Sequence, residues 1–115
     1  MLRMKLPNAT QAIVPVEKLV SYLLDPGHPD NGGKANFFFR FGFKAEEPGP
    51  FAQALLGHAV NTEVALTSTG FDGIRRYVLE GPLVTPLGRS PKVRSIWVIE
   101  RNQTLPRFVT AYPAK

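Results

Sequence analysis

The chain has 115 residues, fourteen Lys and Arg against nine Asp and Glu, a net charge of +5 and no cysteine. That length suits one domain with one core, residues 1–115, and the missing thiols exclude a disulfide framework, thiol catalysis and thiolate zinc sites. The cationic surplus favours polyanionic partners, although many small basic proteins bind none.

The opening MLRMKLPNATQ lacks the apolar core of a signal peptide, and no stretch is long enough to span a bilayer. A cytoplasmic location without membrane attachment is therefore expected. The eleven prolines are scattered, so they punctuate elements and do not mark a disordered linker. There is no internal repeat and no low-complexity tract.

Pro15 to Asp25 reads as a first helix. Val16, Leu19, Val20, Leu23 and Leu24 fall at i, i+3, i+4, i+7 and i+8, one apolar stripe. Pro15 suits the first helical position, Glu17 favours the positive end, and Pro26-Gly27 stops the run. PGHPDNGG, Pro26 to Gly33, is a loop by composition. Lys34 to Gly42 (KANFFFRFG) reads as a second short helix with Phe37, Phe38 and Phe41 as its apolar wedge, while Phe39 and Phe43 face elsewhere; a buried strand is the competing assignment. Pro50 to Val60 is the third helix, with Phe51, Leu55, Leu56 and Ala59 on one side and His58 at its surface or boundary.

After Asn61 the period changes from helical to alternating. Strands are predicted at Glu63–Thr67, at Gly73–Glu80 with a continuation towards Leu83–Thr85, at Val93–Glu100 and at Arg107–Tyr112. A helical part (about 15–60) followed by a strand part (about 62–113) predicts an α+β fold. Two or three N-terminal helices pack on a four-stranded, mostly antiparallel C-terminal sheet. In the third strand Val93, Ser95, Trp97 and Ile99 share one face. In the fourth, Phe108, Thr110 and Tyr112 are expected to point one way and Arg107, Val109 and Ala111 the other.

The C-terminal hairpin mixes cations (Arg89, Lys92, Arg94, Arg101, Arg107) with hydroxyls (Ser90, Ser95, Thr110, Tyr112). Guanidinium groups and hydroxyls together suit an anion, and RNA phosphate is a common large one. Thr110 and Tyr112 can offer two hydroxyls to one ligand, although a plain β-former and an amphipathic rim residue are equally ordinary there. Arg89-Ser90, held between Pro86 and Pro91, form a constrained loop able to hold phosphate or merely to turn the chain. Lys34 opens a helix against the dipole preference, a mild pointer to function. His28 could transfer protons or simply be exposed. His28 and His58 lack ligand spacing, so neither metal nor cofactor is expected. There is no nucleotide-cradling loop, nucleophile elbow or glycosidase-like carboxylate pair.

The run Lys34-Ala35-Asn36-Phe37-Phe38 through Gly42-Phe43, with the hairpin ending Arg107-Phe108-Val109-Thr110-Ala111-Tyr112-Pro113, resembles a family of small bacterial domains of unknown function. That family resembles in turn the barnase–EndoU–colicin–RelE superfamily of ribonuclease toxins. The resemblance implies a metal-independent endoribonuclease toxin, of a toxin–antitoxin or toxin–immunity pair, acting by 2′-OH transesterification. Lys34 with Phe41-Gly42, and Thr110 with Tyr112, match its motifs. The departure is Ala35 or Gly33 where colicin-like members carry a histidine beside the lysine, which leaves His28 as substitute. The implied catalytic set is Lys34, His28, Arg94, Thr110 and Tyr112, with Arg89, Ser90 and Arg107 binding substrate. RNA and an inhibitory antitoxin or immunity protein are the implied partners. A non-catalytic RNA- or protein-binding module using the same basic hairpin is the alternative.

Overall fold

A computed structural model describes residues 4–29 and 33–114, so the 30–32 portion of the predicted loop lies outside the described residues. Helices come first and strands afterwards, giving the α+β order that the change of period predicts. Helix α1 begins as an α-turn at Val16–Lys18 and runs on as a π-helical stretch, Leu19–Leu23. Helix α2 is Lys34–Arg40 and α3 is Pro48–Asn61. Strands β1 (Val64–Thr69), β2 (Arg75–Pro82), β3 (Lys92–Ile99) and β4 (Arg107–Pro113) form one sheet in the order β1-β2-β3-β4, every neighbour antiparallel.

The π stretch changes the stripe predicted for α1. Leu24 N–H donates to the Leu19 carbonyl at 2.7 Å, five residues back, so the turn is wider than an α-turn. Leu19, Leu23 and Leu24 are fully buried, but Val16 and Val20 stay exposed, each at 43%. An ideal 3.6-residue period had placed all five together.

The core is one cluster drawn from every layer. Phe38 of α2 and Phe51 of α3 meet with ring centroids 4.7 Å apart, and Phe43 closes on Phe51 at the same distance. Phe43, expected to face elsewhere, is therefore a core residue, while Phe37 and Phe41 are only half-buried. The chain turns back at Gly42 (φ 98°), and that reversal tucks Phe43 under the helix. Leu55 and Ala59 of α3, with Tyr77, Leu79, Val93, Trp97, Ile99, Phe108 and Ala111 of the sheet, complete the interior.

His58 was expected at the helix surface or its boundary and is instead 3% exposed, because α3 lies with that face on the sheet. Its Nε2 is 3.0 Å from the Gly81 carbonyl, so it carries the proton and donates. Its Nδ1 then accepts from the Ser95 hydroxyl at 2.8 Å, and Ser95 Oγ accepts the Trp97 indole N–H at 2.9 Å. Burial lowers the His58 pKa, only partly opposed by hydrogen bonds involving the Gly81 and Val93 backbone. The imidazole is thus neutral when folded and free to protonate when unfolded. Stability is unaffected above the ordinary histidine value and falls as pH drops below it, by at most about 1.4 kcal/mol per pH unit. Urea midpoints at pH 7.5 and 5.5 check this: the wild type should lose stability on acidification, with the histidine share absent in His58→Gln.

Candidate active site

Two local irregularities decide which side chains reach the free edge of β4. The first is a β-bulge. Trp97 pairs with Phe108 but Ile96 with Thr110, so Val109 is an extra residue in β4. Regular alternation placed Phe108, Thr110 and Tyr112 on one face. The bulge instead sends Phe108 and Ala111 into the core and leaves Thr110 and Tyr112 half-buried outside it. The second irregularity is the π stretch of α1, which contains Tyr22 and leaves its hydroxyl 3.4 Å from Thr110 Oγ1 of β4.

Lys34 arrives from the first position of α2. Gly33 precedes it with φ 84°, a left-handed conformation that glycine adopts without strain, and this sets the entry angle of the short helix. The helix packs beside β4. Lys34 Nζ donates to the Tyr22 phenol oxygen at 3.0 Å and to Thr110 Oγ1 at 3.5 Å, and the two hydroxyl oxygens are 3.4 Å apart. Three donors of different kinds thus surround one point. The Lys34 ammonium also lies 5.5 Å from the Tyr22 ring centroid and 5.6 Å from that of Tyr112. His28 stands edge-on to Tyr22, with centroids 5.0 Å apart.

Electrostatics mark Tyr22 as the unusual member. Burial would raise its pKa, but hydrogen bonds from Lys34 and Thr110, with the charges of Lys34 and Lys18, outweigh it and lower the value. Lys18 itself is lowered, first by burial and then by repulsion from Arg107. Arg107 therefore sits in a cationic rim next to Lys18, apart from the hydrogen bonds of Lys34. In a spectrophotometric titration Tyr22 should ionise below the ordinary tyrosine range. Tyr22→Phe should delete that early step, and Lys34→Met should move it upward.

Arg94 reaches the cluster less directly. It pairs across the sheet with both Glu80 and Tyr112. Its Nε and Nη2 donate to Glu80 Oε2 at 3.0 and 2.5 Å, Lys92 Nζ bonds Oε1 at 3.0 Å, and its guanidinium carbon lies 5.9 Å from the Tyr112 ring centroid. The Glu80 carboxyl is held below its usual range by Arg94 and then Lys92, and Arg94 is raised by Glu80 and then Tyr112. Arg94 is thus a cation already shared with a carboxylate, not a bare one. Its register neighbour is Tyr112, with Thr110 one diagonal step away opposite Ile96.

Arg89 and Ser90 part company. Thr85 Oγ1 donates to the Arg89 carbonyl, and the Gly88 N–H donates to the Thr85 carbonyl at 3.1 Å, so the loop is closed on itself. Arg89 lines a hollow with Phe37, Arg40, Phe41 and Leu87, whereas Ser90 lines a separate groove along α3 that includes Phe43, Ala54 and His58. The structure therefore brings Lys34, Thr110 and Tyr112 together beside Tyr22, with His28 against the Tyr22 ring and Arg94 behind Tyr112. Tyr22, Glu80 and Lys18 escaped the sequence reading. The basic KVR run of β3, alternating around a carboxylate on β2, was a signal for Glu80. Tyr22 gave none, because only the tertiary approach of α1 to β4 and α2 brings it to Thr110 and Lys34.

Residues 5–115 match the family described as Domain of unknown function (DUF6883). This chain belongs to that family. No curated protein matches this chain in sequence. Among solved structures, it is similar to a chain of the "Contact-dependent growth inhibition toxin - immunity protein complex from Klebsiella pneumoniae 342". The TM-score is 0.63 at 19% identity, covering 89% of this chain and 99% of that one. At that identity the likeness is one of fold. Among the described residues of the domain no helix is long and apolar enough to cross a membrane.

Proposed function

We propose that this DUF6883 domain is a metal-independent endoribonuclease toxin, kept harmless in its producing cell by an inhibitory protein. The observation that carries the proposal is the Lys34–Tyr22–Thr110 triangle, three donors within 3.0–3.5 Å of one another on a basic chain. The fold likeness to a chain of a toxin–immunity complex supports the toxin reading and the inhibitory partner. A partner with an acidic surface suits the cationic rim formed by Lys18, Arg107 and Lys34.

In this reaction the ribose 2′-oxygen attacks the adjacent phosphorus while its proton passes to His28. The 2′-O–P bond forms, the P–O5′ bond breaks, and the leaving 5′-oxygen takes a proton from Tyr22. A phenol already acidified by Lys34 suits that donation, and Lys34 then stabilises the phenolate left behind. Lys34 and Thr110 meet the extra negative charge of the pentacoordinate phosphate. Tyr112 walls the site, backed by Arg94. The products are a 2′,3′-cyclic phosphate and a 5′-hydroxyl.

The test is incubation of RNA with the purified domain in excess chelator, followed by end-group analysis. Cyclic phosphate ends on ordinary RNA, with 2′-O-methyl RNA left intact, are expected. Intact RNA that is nonetheless bound with salt-sensitive affinity would move the assignment to a non-catalytic RNA-binding module.

A further inference from the structure

Helix α2 carries more than Lys34. Phe37 follows it at i+3 on the same side, and Arg40 and the capping residue Phe41 stand at i+3 and i+4 from Phe37. Two hollows meet there. One, of about 500 Å³, is lined by Gly33, Lys34, Phe37, Arg40, Tyr112 and Pro113. The other, of about 590 Å³, is lined by Phe37, Arg40, Phe41, Leu87 and Arg89. Phe37 and Arg40 line both, so the two hollows adjoin along α2, and the second, a trough between Phe37 and Leu87, lies farther from the Lys34 cluster.

Its far wall is built, not incidental. A side chain on Gly42 would come within 3.1 Å of Pro86 and Leu87, so the 85–89 loop rests directly on the end of α2. The internal bonds from Thr85 and Gly88 fix that loop, and Leu87 nevertheless leaves 64% of its surface exposed. Phe37 and Phe41 are half-buried, with ring centroids 5.1 Å apart. Arg40 and Arg89 are exposed, and neither is paired with a carboxylate among the described residues. Cations spaced along aromatic faces are what an unpaired strand needs: guanidinium for each phosphate, a ring for each base. From Lys34 to Arg40 is about 9 Å of helix, enough to separate one phosphate from the next.

We infer that the Phe37–Arg40–Phe41–Arg89 trough is a second nucleotide subsite, which holds the unpaired nucleotide next to the scissile phosphate and makes the substrate single-stranded RNA. The inference rests on the nuclease reading for the phrase "next to the scissile phosphate", but its binding test does not require cleavage. Uncleavable 2′-O-methyl oligonucleotides of two and of four nucleotides, fluorescein-labelled, are titrated into the folded domain in chelator. The tetranucleotide should bind about tenfold more tightly than the dinucleotide. Arg40→Gln with Arg89→Gln, both at exposed positions, should erase that gain and flatten the salt slope by about 1.4, two phosphate contacts' worth for a single strand. Phe37→Leu should lose about tenfold on the tetranucleotide alone, the effect of one stacked base.

A tetranucleotide gain that survives in the double arginine variant overturns the subsite, as does a wild type indifferent to length. So does polyglutamate that competes as well as RNA of equal charge, since a bare cation patch would not need the rings. Failure of cleavage with the length effect intact would remove the nuclease reading and leave the trough standing.

Discussion

Lys34→Ala is expected to slow RNA cleavage by about 10²–10³-fold, the usual effect of removing one donor from a pre-formed anion site. The loss has two sources. The ammonium no longer meets the charge that develops on the phosphate, and the Tyr22 phenol no longer receives the hydrogen bond that acidifies it. Lys34 is half-buried, at the helix start and in contact with two hydroxyls, so its replacement leaves the core untouched. Circular dichroism and the urea midpoint should therefore stay near wild type while kcat falls. Tyr22→Phe separates the two sources, since it keeps the ammonium and removes the acid. An alkaline limb in the rate profile of the wild type that disappears in Tyr22→Phe assigns proton donation to the phenol. Full activity in Lys34→Ala would overturn the assignment of the site.

Ser95→Ala should destabilise the fold by about 2–5 kcal/mol, far above the usual cost of trimming one hydroxyl. The Ser95 hydroxyl serves two buried rings at once, donating to His58 Nδ1 and accepting from the Trp97 indole. Removing it strands both, at about 1–3 kcal/mol for each unsatisfied group. No tautomer of His58 repairs the damage, because Nε2 must keep its proton for the Gly81 carbonyl. Chemical denaturation measures the effect, and a cost under about 0.5 kcal/mol would mean that the network does not hold the core. The cluster at Lys34 lies elsewhere, so specific activity of the folded fraction should be unchanged.

Much of the architecture was legible in the chain because it follows from period alone. Alternation at Val93, Ser95, Trp97 and Ile99 does mark the buried face of β3. The KANFFFR run is a helix, and its lysine does meet the threonine of the last strand. What stayed hidden has a common cause, departure from ideal period. A wider turn in α1 leaves Val16 and Val20 exposed outside the expected stripe, and an extra Val109 in β4 sends Phe108 and Tyr112 to opposite faces. His58 was misread for another reason. Its polarity pointed outward, but Ser95 and the Gly81 carbonyl supply both of its hydrogen bonds indoors. Pairing of Arg94 with Glu80 depends on the register of β2 and β3, which composition does not specify.

The bulge in β4 has an evolutionary corollary. Excising the single codon for Val109 would leave Phe108 and Thr110 adjacent in a regular strand and therefore on opposite faces, the same division the bulge produces, so the oily interior and the pair of outward hydroxyls would both survive. A relative with identical residues and one fewer between Arg107 and Thr110 should therefore keep the pairing of its last two strands and the site they carry.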